Sequence, residues 1–380
     1  MHRPNPLTPF NLYSVRCLTY VIAVQACLWA LELVAAESDT CSADLPDTCS
    51  GEPQKGKILG YVTPWNGRGY DVAKQHKDKL THISPVWYQL KLQDGAPYLA
   101  GGHDADADWI ADLREPITDE EAVPRIVPRV VVELERPQEY LDMLTGLKAD
   151  VIKVLAKECK RSRLDGLVLE VWSTWHALGL QQQNFALLKA FLRDLHRALH
   201  RRLGFDGEPM ELILAIPPPV PAREGAKPPI TLSQFQQLAS FIDGFSVMTY
   251  DHNAYGMPGP NAPLAWVKAN LEFFKPAKAD RRKVLVGLNF YGRDFSRAGV
   301  RDVLGHDYNA SLERQGATLH WDEAYQEHTL VYKEGSEEHV TYYSSTRALQ
   351  ARMDLAQEYG AGTSIWELGQ GLDGFMDVFE

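Results

Sequence analysis

From Lys57 onward, short runs of apolar residues alternate with longer stretches in which apolar positions recur every three or four residues. Eight of the runs predict strands: Ile58 to Thr63, His82 to Trp87, Ile126 to Val132, Gly166 to Trp172, Leu212 to Ile216, Gly244 to Thr249, Val284 to Phe290 and Thr363 to Trp366. Most are continuous rather than alternating, as expected of parallel strands covered on both faces. Between the fourth and fifth, Phe185, Leu188, Leu192, Leu195 and Leu199 recur at helical intervals, with Arg197, Arg201 and Arg202 near the end and Gly204 beyond them. That is an amphipathic helix with a glycine stop. Eight strands with helical crossovers over about 320 residues predict an α/β fold, a (β/α)8 TIM barrel. A doubly wound sheet would produce the same alternation, and the strand count favours the barrel.

Between the seventh and eighth strands, residues 293 to 343 are too many for one helix. Leu330-Val331-Tyr332 and His339-Val340-Thr341-Tyr342-Tyr343 flank a glycine-containing turn at Glu334 to Glu338, which reads as a β-hairpin within a small β-rich insertion. The expected organisation is residues 1–36 as a leader, 37–56 as a linker rich in Ser, Asp, Pro and Gly, and 57–380 as the barrel.

The leader has a loosely basic start with His2, Arg3 and Arg16, an apolar stretch from Cys17 to Ala36, and small residues Val34, Ala35 and Ala36 before a plausible cleavage point. It reads as a secretory signal peptide, with an uncleaved signal anchor as the rival. Gln25 and Glu32 shorten the apolar core below the roughly 20 residues a span needs, which favours cleavage. In an oxidising compartment Cys41 and Cys49 could close a small loop, leaving Cys159 as a buried thiol on a helix. Asn309-Ala310-Ser311 is a glycosylation sequon, a pattern that also arises by chance. Secretion, to the exterior or to lysosomes, follows as the expected localisation.

The 380 residues carry 39 basic and 50 acidic side chains, a net charge of −11. With no basic run long enough to neutralise several phosphates, nucleic acid is excluded as the main ligand. Neutral ligands are favoured.

The fourth strand concentrates the chemistry. Sorted by the two-residue period of a strand, Leu167, Leu169 and Val171 form one apolar face, while Gly166, Val168, Glu170 and Trp172 form the face that points into a barrel. An ionisable Glu170 facing that interior needs a partner or a shifted pKa. It is either a catalytic acid or a paired, supporting group, and the strand alone leaves both open.

The segment from Asp165 to Trp172 resembles the fourth-strand signature of family 18 glycoside hydrolases, Asp-Gly-x-Asp-x-Asp-x-Glu. Gly60-Tyr61 is similar to that family's first strand, Met248-Thr249-Tyr250-Asp251 to its sixth, Gly287-Leu288-Asn289-Phe290-Tyr291-Gly292 to its seventh and Trp366 to its eighth-strand tryptophan. The segments Gly60 to Asn66, Gly259 to Leu264 and Ser364 to Gly371 resemble a chitinase-like branch of the same family. In register, the family's second and third aspartates fall on Val168 and Glu170, and its catalytic glutamate falls on Trp172. The resemblance therefore implies that the proton donor is missing.

Glu170 cannot simply replace it. Two residues along a strand shift a side chain by about 6.6 Å, whereas a general acid must lie within about 3 Å of its oxygen. The resemblance also implies that the substrate's own acetamido group is the family's nucleophile, positioned by the aspartate that Glu170 replaces. What it leaves is a binding apparatus, with Tyr250 and Asp251 contacting the N-acetyl and hydroxyl groups of a central sugar and Trp366 as the floor beneath it. Tyr61, Met248 and Tyr291 complete the implied saccharide site.

Trp65, Trp87, Trp172 and Trp175 follow or end strands on the side where a barrel places its ligand, and are expected to offer stacking faces or to serve as filler. Aromatic floors with a few convergent polar groups suit sugars, whose faces are apolar and whose edges need hydrogen bonds.

Other signals carry less. Asp104, Asp106, Asp108, Asp112 and Glu115 match an EF-hand spacing, but Trp109 stands where the loop needs glycine, and a helix opening with an acidic cap explains the same string. The 12 histidines show no spacing typical of zinc ligands, and His82, His103, His252 and His320 read as ordinary polar residues. Ser84 and Ser246 lack a nucleophile-elbow context. Pro217-Pro218-Pro219 reads as a rigid loop. No cofactor or metal is expected. Glu133 and Glu135 after the third strand form a carboxylate pair near the rim.

The leading expectation is a chitinase-like lectin for oligosaccharides of N-acetylglucosamine. The alternatives are a slow hydrolase using Glu170 or Glu133 as a displaced acid, and an interaction protein whose partner, as the resemblance implies, is a stabilin-type scavenger receptor.

Overall fold

The eight apolar runs all become strands of one curled sheet. The computed structural model describes residues 56–115, 123–253 and 257–379, so the leader, the linker as far as residue 55, and Cys41 and Cys49 lie outside the described residues. In chain order the strands are β1 (Ile58–Val62), β2 (His82–Pro85), β3 (Tyr88–Gln93), β4 (Ala96–Ala100), β5 (Arg125–Ile126), β6 (Arg129–Val132), β7 (Gly166–Glu170), β8 (Glu211–Ile216), β9 (Gly244–Val247) and β10 (Val284–Asn289). An inserted set follows, β11 (Gly292–Ser296), β12 (Gly299–Val303), β13 (Thr318–Asp322), β14 (Glu327–Glu334) and β15 (Glu337–Tyr343), before the last barrel strand, β16 (Gly362–Trp366).

Parallel pairing runs from β6 through β7, β8, β9, β10, β16 and β1 to β2 and β5. β5 and β6 are halves of one strand, interrupted around Pro128, which has no N–H to donate. The first half bonds β2 and the second bonds β7, which closes the (β/α)8 barrel.

The crossover helices are α1 (Gly67–Gln75), α2 (Ala107–Arg114), α3 (Pro137–Leu144), α4 (Lys148–Arg161), α5 (Trp172–Ala177), α6 (Leu180–Gln183), α7 (Phe185–His200), α8 (Leu232–Ala239) and α9 (Leu264–Phe274). α10 (Gly305–Leu312) belongs to the insertion and α11 (Thr346–Glu358) precedes β16. Asp106 caps α2, accepting from the backbone of Asp108 at 3.0 Å and Trp109 at 2.9 Å, so this part of the acidic string opens a helix. Cys159 is buried on α4 with its thiol pushed up to about 12 by burial. Among the described residues no helix is long and apolar enough to cross a membrane.

Two apolar layers result from the two faces of each strand. Leu59, Tyr61, Val86, Val127, Val168, Ile213, Ala215 and Leu285 fill the barrel interior. Leu167, Leu169 and Val171 pack outward with the α7 stripe of Leu188, Leu192, Leu195 and Leu199. The alternation expected of the fourth strand therefore holds through Glu170.

The insertion is an antiparallel sheet in the order β12-β11-β15-β14-β13, and the expected hairpin is β14–β15. One hairpin was not expected. β3 and β4 turn at Asp94-Gly95, both in the left-handed region (φ 51° and 78°), as a tight two-residue loop requires. A search for apolar runs passes over it because β4 is largely solvent-facing.

The N-terminal end of the barrel is closed by charge. Glu211 meets Lys57 at 2.9 Å, His82 at 2.8 Å and Arg125 at 3.0 Å. Burial alone would raise the Glu211 carboxyl, but the bonds and charges of His82 and Lys57 outweigh it and hold it well below the usual carboxylate range. His82 is thus a member of a buried network rather than an ordinary polar residue. Asp165, the first residue of the degenerate motif, is also structural: it is buried and accepts from Ile126 N at 2.7 Å, Phe205 N at 2.5 Å and Arg114 at 2.9 Å.

Candidate functional site

At the C-terminal ends of the strands, the last side chain of β16 sets the floor. Trp366 projects inward against the interior layer, its ring 5.3 Å from that of Tyr61 on β1. The Tyr61 hydroxyl donates to Ser246 Oγ at 2.9 Å, and Ser246 Oγ donates to Ser364 Oγ at 3.1 Å. These bonds fix the edge of the floor from three strands.

Above Trp366 lies Arg129 of β6, a residue that the sequence analysis does not single out. The Arg129 guanidinium stands 5.6 Å from the Trp366 ring, and its Nε donates to Glu170 Oε2. The two side chains are 15% and 24% exposed, so the pair sits at the boundary between interior and solvent. Burial alone would lower the Arg129 pKa; the charge and hydrogen bond of Glu170 push it above its ordinary value. Of the two readings of Glu170, the geometry realises the paired one.

On the other side of the mouth, Tyr250 and Tyr291 meet edge to face at 6.3 Å. Gly287 makes room for Tyr250, since a Cβ there would stand 2.8 Å from the Tyr250 ring. Burial, then neighbouring charges, pushes both phenols well above their ordinary pKa, so both remain neutral donors. Asp251 adopts the left-handed conformation (φ 62°) and its N–H donates to Asn261 Oδ1 at 2.6 Å. Its Oδ1 accepts from the Tyr291 hydroxyl and from Arg293 at 2.6 Å. Met248 is half-buried at the end of β9. Tyr61, Met248, Tyr250, Asp251, Tyr291, Glu170 and Trp366 are thus brought to one end of the barrel. Trp65, 67% exposed, stands on the loop after β1.

The remaining tryptophans are a correction. Trp87, Trp172 and Trp175 are fully buried in the outer layer and present no face to a ligand. Val171 leaves the extended conformation (φ −153°, ψ −14°) and α5 begins, so the alternation that assigned Trp172 to the interior ends one residue too early for it. Trp172 Nε1 donates to Pro229 O at 2.8 Å, and its ring packs against Trp175 at 6.0 Å. Trp87 Nε1 donates to the Tyr70 hydroxyl at 2.7 Å, with Trp109 alongside at 6.1 Å.

Glu133 is exposed and pairs with Lys91 of the β3–β4 hairpin at 3.2 Å. Glu135 is exposed, its N–H donating to Glu139 at 2.9 Å. Glu367, which the strand pattern passed over, is fully buried and accepts from Asn66 Nδ2 at 2.5 Å and Gly369 N at 3.1 Å. Burial pushes its carboxyl up to about 7 while it ties the loop after β1 to the end of β16. Asn309 is exposed on α10, with Ser311 buried and its hydroxyl donating to Asp307 O at 2.9 Å, so the sequon lies within a folded helix. Arg129 and Arg293 are the site residues that sequence reasoning missed. The available signal for Arg129 was a cation inside an apolar run, on the same inward parity as Val127.

Residues 57–371 match the family described as Glycosyl hydrolases family 18. A Bacillus subtilis (strain 168) protein, YdhD, named as a sporulation-specific glycosylase, is 24% identical over 237 residues, covering 60% of this chain; the matched stretch spans 55% of that relative, about half its length. Among solved structures, a chitinase from Chromobacterium violaceum ATCC 12472 superposes with a TM-score of 0.69 at 21% identity, over 85% of this chain and 98% of its own. The spore cortex-lytic enzyme SleL of Bacillus cereus gives a TM-score of 0.67 at 16% identity, over 86% of this chain and 74% of its own. At these identities the structural likenesses speak to the fold.

Proposed function

Because the chain belongs to glycosyl hydrolase family 18, whose barrel presents aromatic and hydrogen-bonding groups at one end, we propose that it is a chitinase-like lectin that binds N-acetylglucosamine oligosaccharides without hydrolysing them. The observation that carries this reading is the Arg129–Glu170 ion pair over Trp366. The only motif carboxylate facing the mouth accepts from a permanent cation, while the position matching the family's proton donor is a tryptophan buried in the outer layer. General acid catalysis worth roughly 10²–10⁴-fold is then forfeited. Trp366, Tyr250 and Asp251 supply a stacking floor with a neutral donor and a carboxylate acceptor, the combination a sugar ring requires, and Tyr291 orients that carboxylate.

The test is calorimetric titration of the purified chain with the N-acetylglucosamine tetramer. Saturating heats that return to baseline are expected. A persistent heat flow proportional to protein would overturn the lectin reading and favour the slow hydrolase with Glu170 or Glu133 as acid, and an absence of heat would favour the interaction protein.

The same proposal puts the chain in the secretory pathway, secreted or lysosomal, on the strength of its apolar leader and the exposed Asn309 of its sequon. It also takes a stabilin-type scavenger receptor as a partner; co-precipitation with the receptor's extracellular region from cells making both is the check.

A further inference from the structure

At the end of the barrel opposite Trp366, α7 presents two histidines one helical turn apart, His196 and His200, so both imidazoles lie on one face. Their ring centroids are 3.7 Å apart and the planes are tilted by 38°. An imidazole ligates metal through a ring nitrogen, and α7 presents two such rings side by side. Asp243, immediately before β9, completes the cluster. Its Oδ2 lies 3.0 Å from His200 Nε2 and 3.8 Å from His196 Nε2.

We propose that His196, His200 and Asp243 form a binding site for a first-row divalent cation, with Zn²⁺ the best match, that staples α7 to the N-terminal ends of β8 and β9. The three ligand atoms lie within 4.8 Å of one another. Tetrahedral zinc, with bonds of about 2.0–2.1 Å, needs ligand atoms about 3.3 Å apart, within reach by small side-chain rotations. Two imidazoles and one carboxylate leave a fourth position for water, the donor set of a zinc or related transition-metal site rather than of calcium or magnesium.

The surroundings support occupancy. Leu212 N donates to Asp243 Oδ2 at 2.8 Å, which orients the carboxylate from the second strand that the metal would join. Phe241 packs beside His196, its ring 6.1 Å away, and limits solvent on one side. Lys57 reaches the Asp243 carbonyl at 3.3 Å, but its charge is met by Glu211 at 2.9 Å. The side chains of His196, His200 and Asp243 are 15%, 32% and 18% exposed, open enough for an ion to enter. The four-residue interval between His196 and His200 does not by itself mark a zinc site, because the third ligand lies 43 residues after His200 and is brought in only by the barrel.

The experiment is equilibrium dialysis of the tag-free chain against Zn²⁺ at neutral pH, with melting temperature read in parallel with and without chelator. One equivalent of Zn²⁺ per chain and a raised melting temperature are expected, together with the visible absorption of a tetrahedral site when Co²⁺ replaces zinc. Loss of an outer-shell partner alone costs about 10–100-fold in metal affinity, so His196→Ala and His200→Ala should each weaken binding at least that much. His320→Ala, at an exposed position on β13, should leave it unchanged. Melting of each variant in chelator separates loss of the site from loss of the fold. Binding that is not saturable, or that survives His196→Ala and His200→Ala, would overturn the proposal and leave the cluster as a hydrogen-bonded His–Asp pair.

Discussion

In the proposed lectin, Trp366 is the residue on which saccharide recognition turns. Its ring lies 5.3 Å from that of Tyr61 and 5.6 Å from the Arg129 guanidinium, so it is preorganised and loses little freedom on binding. Removing it deletes the stacking face while the Tyr61–Ser246–Ser364 bonds remain. Trp366→Ala is expected to weaken binding of the N-acetylglucosamine tetramer about tenfold, roughly 1.4 kcal/mol, with an unchanged circular dichroism spectrum. Equal affinity in wild type and variant would remove the barrel mouth from the account. Glu170 illustrates the complementary point: periodicity set its direction, but the partner that determines its chemistry, Arg129, sits on another strand.

At the scale of elements, the loop that carries Asp251 is secured from outside the barrel. Glu327 on β14 is buried and accepts from Asn261 N at 3.0 Å, Ala262 N at 2.7 Å and Arg352 of α11 at 3.0 Å. Asn261 in turn holds the Asp251 backbone. Burial pushes the Glu327 carboxyl up and the Arg352 guanidinium down despite their attraction, so neither charge tolerates losing the other. Glu327→Ala should destabilise the chain by about 3–5 kcal/mol in urea unfolding and weaken tetramer binding through the released loop. A midpoint shift without any change in affinity would mean that Asp251 is held by Tyr291 and Arg293 alone. The inserted sheet is therefore a brace for the site rather than an ornament of the rim.

For the whole molecule, two carboxylates at opposite ends of the barrel, Glu211 partly buried and Glu367 fully buried, set opposing pH dependences. Glu211 is held below its ordinary 4.5, so its contribution is present above that value and lost as the pH falls through the lower folded value. Glu367 is raised from 4.5 to about 7, so its contribution is full below 4.5 and lost as the pH rises from 4.5 to 7. Over that window Glu367 alone should cost on the order of 2–3 kcal/mol, bounded by one proton per molecule. Glu367→Gln should flatten the melting temperature between pH 4.5 and 7 relative to wild type, and an unaltered slope would show that the group titrates normally. The division of labour follows the barrel: charge networks close the N-terminal end, and the candidate site occupies the C-terminal end.

What the sequence by itself determined is local and periodic. A continuous apolar run must be covered on both faces, which was sufficient to place the eight strands, the α7 stripe, the inserted hairpin and the inward direction of Val168 and Glu170. The tertiary structure decided whatever depends on where a strand stops and which distant residue it meets. Trp172 belongs to the outer layer because β7 ends at Glu170 and a helix begins, a difference of one backbone rotation that no alternation pattern contains. Arg129 meets Glu170, Glu327 meets Arg352, and His196 and His200 meet Asp243 only because barrel closure sets residues far apart in the chain side by side.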